Sequence, residues 1–122
     1  MSSFNDADLD RFLAEDPGGP VVMLNLLRFR PDGGRERYDD YARAAQEIAG
    51  PDDNAEPVYF GAGGRSLEDD RGRDWDAVVL VRYPSRRAFV DLVRAPAYRE
   101  IAYIRDEALE DAVLQPTTSL LG

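Results

Sequence analysis

Apolar residues recur along this chain at two periods, and the switches between them mark its elements. Leu9, Phe12 and Leu13 stand at i, i+3 and i+4, the spacing of one helix face. Asn5 precedes them as an N-cap, and Asp6 and Asp8 put carboxylates at the positive end of the helix dipole. Asp16-Pro17-Gly18-Gly19-Pro20 ends this short helix, which is expected over 5–16. Val21 to Arg30 then reads as a strand buried on both faces. Val21, Met23, Asn25, Leu27 and Phe29 form one parity, and Val22, Leu24, Leu26, Arg28 and Arg30 the other. Pro31-Asp32-Gly33-Gly34 stops it as a turn.

Tyr38, Tyr41, Ala42, Ala45 and Ala49 make a helical stripe that ends at Gly50-Pro51. Pro57 to Gly61 predicts a second strand, Gly61 to Gly72 a polar connection, and Trp75 to Tyr83 a third strand closed by Pro84. Ser85 caps a helix with the face Phe89, Leu92 and Val93. Another helix opens at Pro96, with the stripe Tyr98, Ile101, Ala102, Arg105 and Leu109. Ala112 to Leu121 reads as a last strand, placed at a sheet edge by Pro116.

With no repeat or linker, the chain reads as one domain over 1–122, with a core over 20–121. The fold class is α+β: a ferredoxin-like β-α-β-β-α-β antiparallel sheet with helices on one face and a short helix in front. Strands that are apolar on both parities leave the second sheet face in need of cover, which 122 residues are too few to supply. A second copy is the economical cover, so a homodimer is expected.

Composition removes many chemistries. The chain has 15 basic and 24 acidic residues, a net charge of −9, and all its basic residues are Arg; Lys, His and Cys are absent. No thiolate, imidazole shuttle, zinc site of the usual N/S kind, Schiff base or P-loop lysine is available. The acidic balance argues against nucleic acid and anionic membranes. No apolar run is long enough to span a bilayer, and Met1 to Asp6 lack the pattern of a signal peptide, which makes the cytoplasm the expected location.

Met23-Leu24-Asn25-Leu26-Leu27-Arg28-Phe29, the pair Tyr38 and Tyr41, Trp75-Asp76, Arg82-Tyr83-Pro84-Ser85-Arg86, Tyr98, Arg105 and Ala108-Leu109-Glu110-Asp111 occur in this order. Together, from about Val21 to Leu114, they resemble the domain-of-unknown-function 1330 family, of the dimeric α+β barrel superfamily. The resemblance implies a ferredoxin-like protomer pairing as a dimeric α+β barrel, with a small-molecule pocket between sheet and helices. It implies no reaction, since superfamily relatives include cofactor-free monooxygenases, cyclases, isomerases and haem enzymes. The family pattern commonly has a His before the helix arginine; Ile104 stands there in this chain.

Several residues are candidates for chemistry. Asn25 is an amide inside the most apolar strand, so it either holds a ligand oxygen or bonds its neighbours. Arg105 lies on an apolar stripe, where a guanidinium holds a substrate carboxylate or enolate, or pairs with an acid such as Asp76 or Glu110. Tyr41, with Tyr38 beside it, is either core or a proton donor to substrate, and acts as an acid/base if an Arg lowers its pKa. Tyr103, off the stripe, is a weaker candidate. Asp76 is the best single carboxylate for a general base, and Trp75 and Arg82 share its strand; a salt bridge or turn cap is the plainer reading. Gly61-Ala62-Gly63-Gly64-Arg65-Ser66 has phosphate-loop composition with no helical pattern after it. Asp39-Asp40, Asp52-Asp53 and Asp69-Asp70 lack calcium-loop spacing and read as solvated charge.

Two functions follow. One is a cofactor-independent cyclase, isomerase or dehydratase acting on an oxygenated organic substrate, with a cofactor-free monooxygenase as a further form. The other is a ligand-binding or accessory homodimer without turnover. No cofactor is expected, and the lack of His removes the usual axial ligand of haem.

Overall fold

Asn5 caps the first helix: its Oδ1 accepts from the Ala7 and Asp8 amides at 2.7 and 3.3 Å, and α1 runs Asp6–Ala14. This computed structural model describes residues 4–49, 55–69 and 74–121. The elements after α1 are β1 (Val21–Phe29), α2 (Gly34–Ala49), β2 (Glu56–Ala62), β3 (Ala77–Tyr83), α3 (Arg86–Arg94), α4 (Pro96–Ala108) and β4 (Leu109–Thr117). Gly33, at φ +82°, takes the left-handed conformation that the turn into α2 requires. Ser85 caps α3 through the Ala88 amide at 3.1 Å. The Gly50-Pro51 stop, Asp52-Asp53 and Asp70 lie outside the described residues.

The sheet order is β2-β3-β1-β4, with every neighbouring pair antiparallel. This is the ferredoxin-like arrangement expected of β-α-β-β-α-β order. Two strand boundaries differ from the sequence expectation. The third strand begins at Ala77, because Trp75 and Asp76 form a junction rather than a ladder: the Asp76 carbonyl accepts from Gly63 N and its carboxylate from Phe29 N. The last strand spans Leu109–Thr117 rather than Ala112 to Leu121. Leu109 leaves the α4 stripe in extended conformation and pairs with Phe29, and Thr117 meets the start of β1 at Val22. β4 has β1 as its one neighbour in the sheet order, so Pro116 does lie on an edge strand.

Alternation along β1 separates two faces. Val21, Met23, Asn25 and Leu27 are buried, and the register aligns Asn25 with Val79 of β3 and Leu114 of β4. Val22, Leu24 and Leu26 point the other way, beside Val78, Leu80 and Val113, and are half-buried within one chain. That second face therefore has no covering layer from the described residues. Tyr59 extends it on β2, its ring lying across Gly61 where any Cβ would collide with it.

The covered face holds two clusters of buried residues. One is built on Val21, Met23, Tyr83, Phe89, Val90, Val93 and Tyr98, and the other on Leu27, Tyr38, Val79, Ala108 and Leu109. Asn25 lies on β1 between Met23 of the first and Leu27 of the second. The apolar core is interrupted at that level.

Candidate functional site

A hollow of about 290 Å³ occupies the interruption between the two clusters. The sequence explains the space. Below Tyr38 and Tyr41, the inner face of α2 continues as Ala42, Ala45 and Ala49, side chains too short to reach the sheet. Met23, Val79, Val81, Phe60, Phe89 and Leu92 complete a mostly apolar wall. Asn25, Tyr38, Tyr41, Tyr83, Tyr98 and Arg105 supply its buried polar groups, with Gln46 at the α2 side.

These polar groups reach the hollow from four supports, β1, α2, β3 and α4. Asn25 points inward from β1; its Nδ2 donates to the Met23 and Val79 carbonyls, both at 3.4 Å, and its Oδ1 accepts from Arg105 Nη2 at 3.4 Å. All three bonds are at the long limit for N–H···O. Arg105 and Tyr98 are two turns apart on α4 and so share one face. Both are buried, Arg105 to 9% exposure. Among the described residues no carboxylate comes within ion-pair distance of Arg105. Neither Asp76 nor Glu110 pairs with it.

Three of the phenols form a connected group. Tyr41 and Tyr98 share a 2.7 Å hydrogen bond between hydroxyls, and the rings of Tyr38 and Tyr41 lie 5.4 Å apart. Burial pushes all three pKa values up: Tyr38 to about 12, with Tyr41 adding to the rise and Arg105 opposing it. Tyr41 is raised well above its ordinary value by burial and then by Tyr98; Tyr98 is raised by burial against the opposing effect of Tyr41 and Arg105. The condition for an acid/base role of Tyr41, a pKa lowered by a neighbouring Arg, is therefore not met: Arg105 acts in that direction, but desolvation outweighs it. At neutral pH these phenols are donors, not bases.

Asn25, Tyr41 and Arg105 are brought together; the other candidates are not. Asp76 is exposed at the junction before β3, where its Oδ2 accepts from the Phe29 amide at 2.9 Å. Trp75 stacks under Arg28, whose carbon Cζ lies 5.0 Å from the ring. Arg82 lies on the open sheet face beside Glu56, at 3.7 Å. Tyr103 is exposed on the far side of α4, against Arg37. Gly61 and Ala62 end β2, and no helix begins in the described residues that follow them up to β3. Asp39 and Asp40 pair with Arg35, Arg37 and Arg43. Tyr98 was missing from the sequence-derived site, although its i, i+7 relation to Arg105 placed both on one helix face.

A broader groove of about 670 Å³ between α1, α4 and β4 meets the hollow at Phe4, Met23, Phe89, Arg105 and Leu114. Among the described residues no helix is long and apolar enough to cross a membrane, and no cluster of three or more Asp or Glu has metal-binding geometry.

Known structures share this architecture. RPA0582, a protein of unknown function from Rhodopseudomonas palustris, is 32% identical, with a TM-score of 0.85 over 98% of this chain and 97% of that one. A dimeric ferredoxin-like protein of unknown function from Thermobifida fusca is 19% identical, with a TM-score of 0.53 over 84% and 93%. Another described in the same words, from Jannaschia sp., is 11% identical, with a TM-score of 0.59 over 83% and 100%. These two share the fold alone. No curated protein matches the sequence. The family model described as "Domain of unknown function (DUF1330)" matches residues 33–115, which takes in α2, α4 and most of β4 but not Asn25 on β1. On that match the chain belongs to the DUF1330 family.

Proposed function

We propose that this protein binds a small oxygenated organic molecule in the hollow between its sheet and helices, and that it works as a homodimer closed over the open sheet face. The observation that carries the binding reading is Arg105: a buried guanidinium with no carboxylate partner among the described residues, facing a hollow with Asn25 and four phenols. Burying a charge without a counter-charge is expensive, and a purely structural arginine would have an acid beside it. A ligand oxygen accepting from Arg105 and a phenol supplies what the protein omits. Dimerisation is supported by the apolar row Val22, Leu24, Leu26, Val78, Leu80 and Val113, and by fold relatives described as dimeric.

Turnover is a second reading, favoured by the same convergence of donors. Arg105 and protonated phenols lining one hollow would stabilise charge developing on an oxygen, as an isomerisation, cyclisation or dehydration through an enolate requires. Among the described residues no carboxylate lines the hollow, so such a reaction would rely on this electrophilic assistance and not on an Asp or Glu base.

Ligand-detected NMR with acetophenone, a neutral carbonyl compound with an apolar ring, tests the binding reading. Saturation transfer is expected with the native chain and its loss with Ala45→Trp, which fills the hollow from α2. No transfer to the native protein, or transfer undiminished by Ala45→Trp, refutes it.

A further inference from the structure

Charge and shape at the hollow narrow the ligand class, given the binding reading above. The groups lining the hollow are unequal in sign. Arg105 is its one cation among the described residues, no anion lines it, and the remaining polar groups are the neutral Asn25, Gln46, Tyr38, Tyr41, Tyr83 and Tyr98. The guanidinium is held loosely by the protein: its bond to Asn25 Oδ1 is 3.4 Å long, and its other side-chain partner is the neutral Tyr38 phenol. A bidentate oxyanion would offer shorter, charge-assisted bonds of the kind guanidinium forms best.

The rest of the hollow limits what can carry that anion. Ala42, Ala45, Ala49, Leu92 and Val93 give an apolar surface away from Arg105. The volume, about 290 Å³, equals that of about ten waters at liquid density. A second negative charge would find no second cation there and would be left unpaired in an apolar site.

We infer that the hollow selects monocarboxylates: a single carboxylate seated against Arg105 and the Tyr41–Tyr98 hydroxyl pair, on a compact apolar body lying along the alanine face of α2. Selection arises from charge on the head and from the absence of further charge on the body. Dicarboxylates and phosphate monoesters are disfavoured because Arg105 neutralises one charge only. Neutral isosteres retain the apolar contacts and lose the ionic ones.

Isothermal titration calorimetry of the full chain at neutral pH with phenylacetate, phenylacetamide and phenyl phosphate tests this. Phenylacetate should bind at least about tenfold more tightly than the amide, the scale expected of one charge-assisted pair. It should also bind more tightly than phenyl phosphate. Arg105→Met should bring phenylacetate down to the level of the amide, and Arg105→Lys should keep part of the preference; far-UV circular dichroism confirms that each variant is folded. Acid and amide binding equally to the native chain, or phenyl phosphate binding best, overturns the monocarboxylate inference and leaves the binding reading standing. Failure of all three overturns the inference, and failure of acetophenone overturns the binding reading on which it rests. The native comparison stands even where a variant does not fold.

Discussion

Replacing Arg105 with Met sets two opposing effects against each other, and their balance tells a site residue from a structural one. The substitution removes the bond from Arg105 Nη2 to Asn25 Oδ1 at 3.4 Å and the hydrogen bonding of the guanidinium to the Tyr38 phenol. Hydrogen bonds to charged groups contribute about 1.5–3 kcal/mol in good geometry, and the Asn25 bond is at the long limit, so about 1–2 kcal/mol is lost with both. Met keeps the apolar length of the stem, and the Asn25 oxygen it exposes faces a hollow large enough to hold water. Against that loss stands relief from holding a guanidinium at 9% exposure with no carboxylate partner among the described residues, a cost of several kcal/mol per ion. The ligand-free variant should therefore be more stable than the native chain by about 1–2 kcal/mol. For a domain of this size that is a rise in Tm of about 3–8 °C. Scanning calorimetry of both proteins without ligand measures it. A fall in Tm of several degrees would mean that Arg105 is a structural prop, and the account of the hollow as a site would lose its main support. Stability gained where binding is lost is the behaviour expected of a functional residue.

The raised phenol pKa values predict an alkaline limit. Below pH 10 Tyr38 is protonated both folded and unfolded and costs nothing; between pH 10 and about 12 the unfolded chain ionises while the folded one holds its proton, so stability falls. The shift to about 12 corresponds to a loss of roughly 3 kcal/mol from Tyr38, and Tyr41 and Tyr98 add in the same direction. Denaturant melts from pH 8 to 12 should show it, and a flat profile across pH 10–12 would contradict the burial. Leu24→Glu, on the open face between Leu80 and Gln115, should weaken a dimer by more than about a hundredfold by bringing like charges into a symmetric interface. Sedimentation velocity reads this, and a native chain that stays monomeric at micromolar concentration refutes the homodimer. Gly34→Ala should cost about 1–3 kcal/mol in a thermal melt, because a Cβ there lies 2.5 Å from the Ala108 carbonyl oxygen; an unchanged Tm would show that α2 can shift away from α4.

Local signals in the sequence read well because they need only neighbours along the chain. Asn5 and Ser85 cap the helices expected of them, and the alternation through Val21–Phe29 gives the buried row that holds Asn25. The helical stripe of Tyr38, Tyr41 and the alanines identifies the wall of the hollow. What needs two strands in register does not read. Asp76 and Arg82 are candidates by residue type and strand parity, yet Asn25 is opposite Val79, so the even-numbered residues of β3, including Arg82, face away from it. That register is set by the long crossover through α2 and β2, and strand parity alone does not determine it. The pKa directions were hidden for a similar reason: they depend on how completely α2 and α4 enclose the phenols, a property of helix packing and not of the tyrosine spacing.

The site and the fold are bound together at the junction of α2 and α4. Tyr38 and Tyr41 hang from α2, Tyr98 and Arg105 from α4, and Asn25 from the strand beneath. The distance between the helices therefore sets the reach of every donor. That distance is fixed where Gly34, without a side chain, lets the start of α2 approach Ala108 at the end of α4, and where Arg30 N donates to the Ala108 carbonyl at 2.9 Å. Farther along α2 the alanine face withdraws from the sheet. Close approach at one end with small side chains at the other makes a wedge, open beside the phenols and closed at Ala108. A core built only for stability would fill that wedge with Leu or Phe, since each buried large side chain contributes about 1.5–3 kcal/mol. This chain instead leaves the space open and puts a charge beside it, and both choices cost stability in the absence of a ligand.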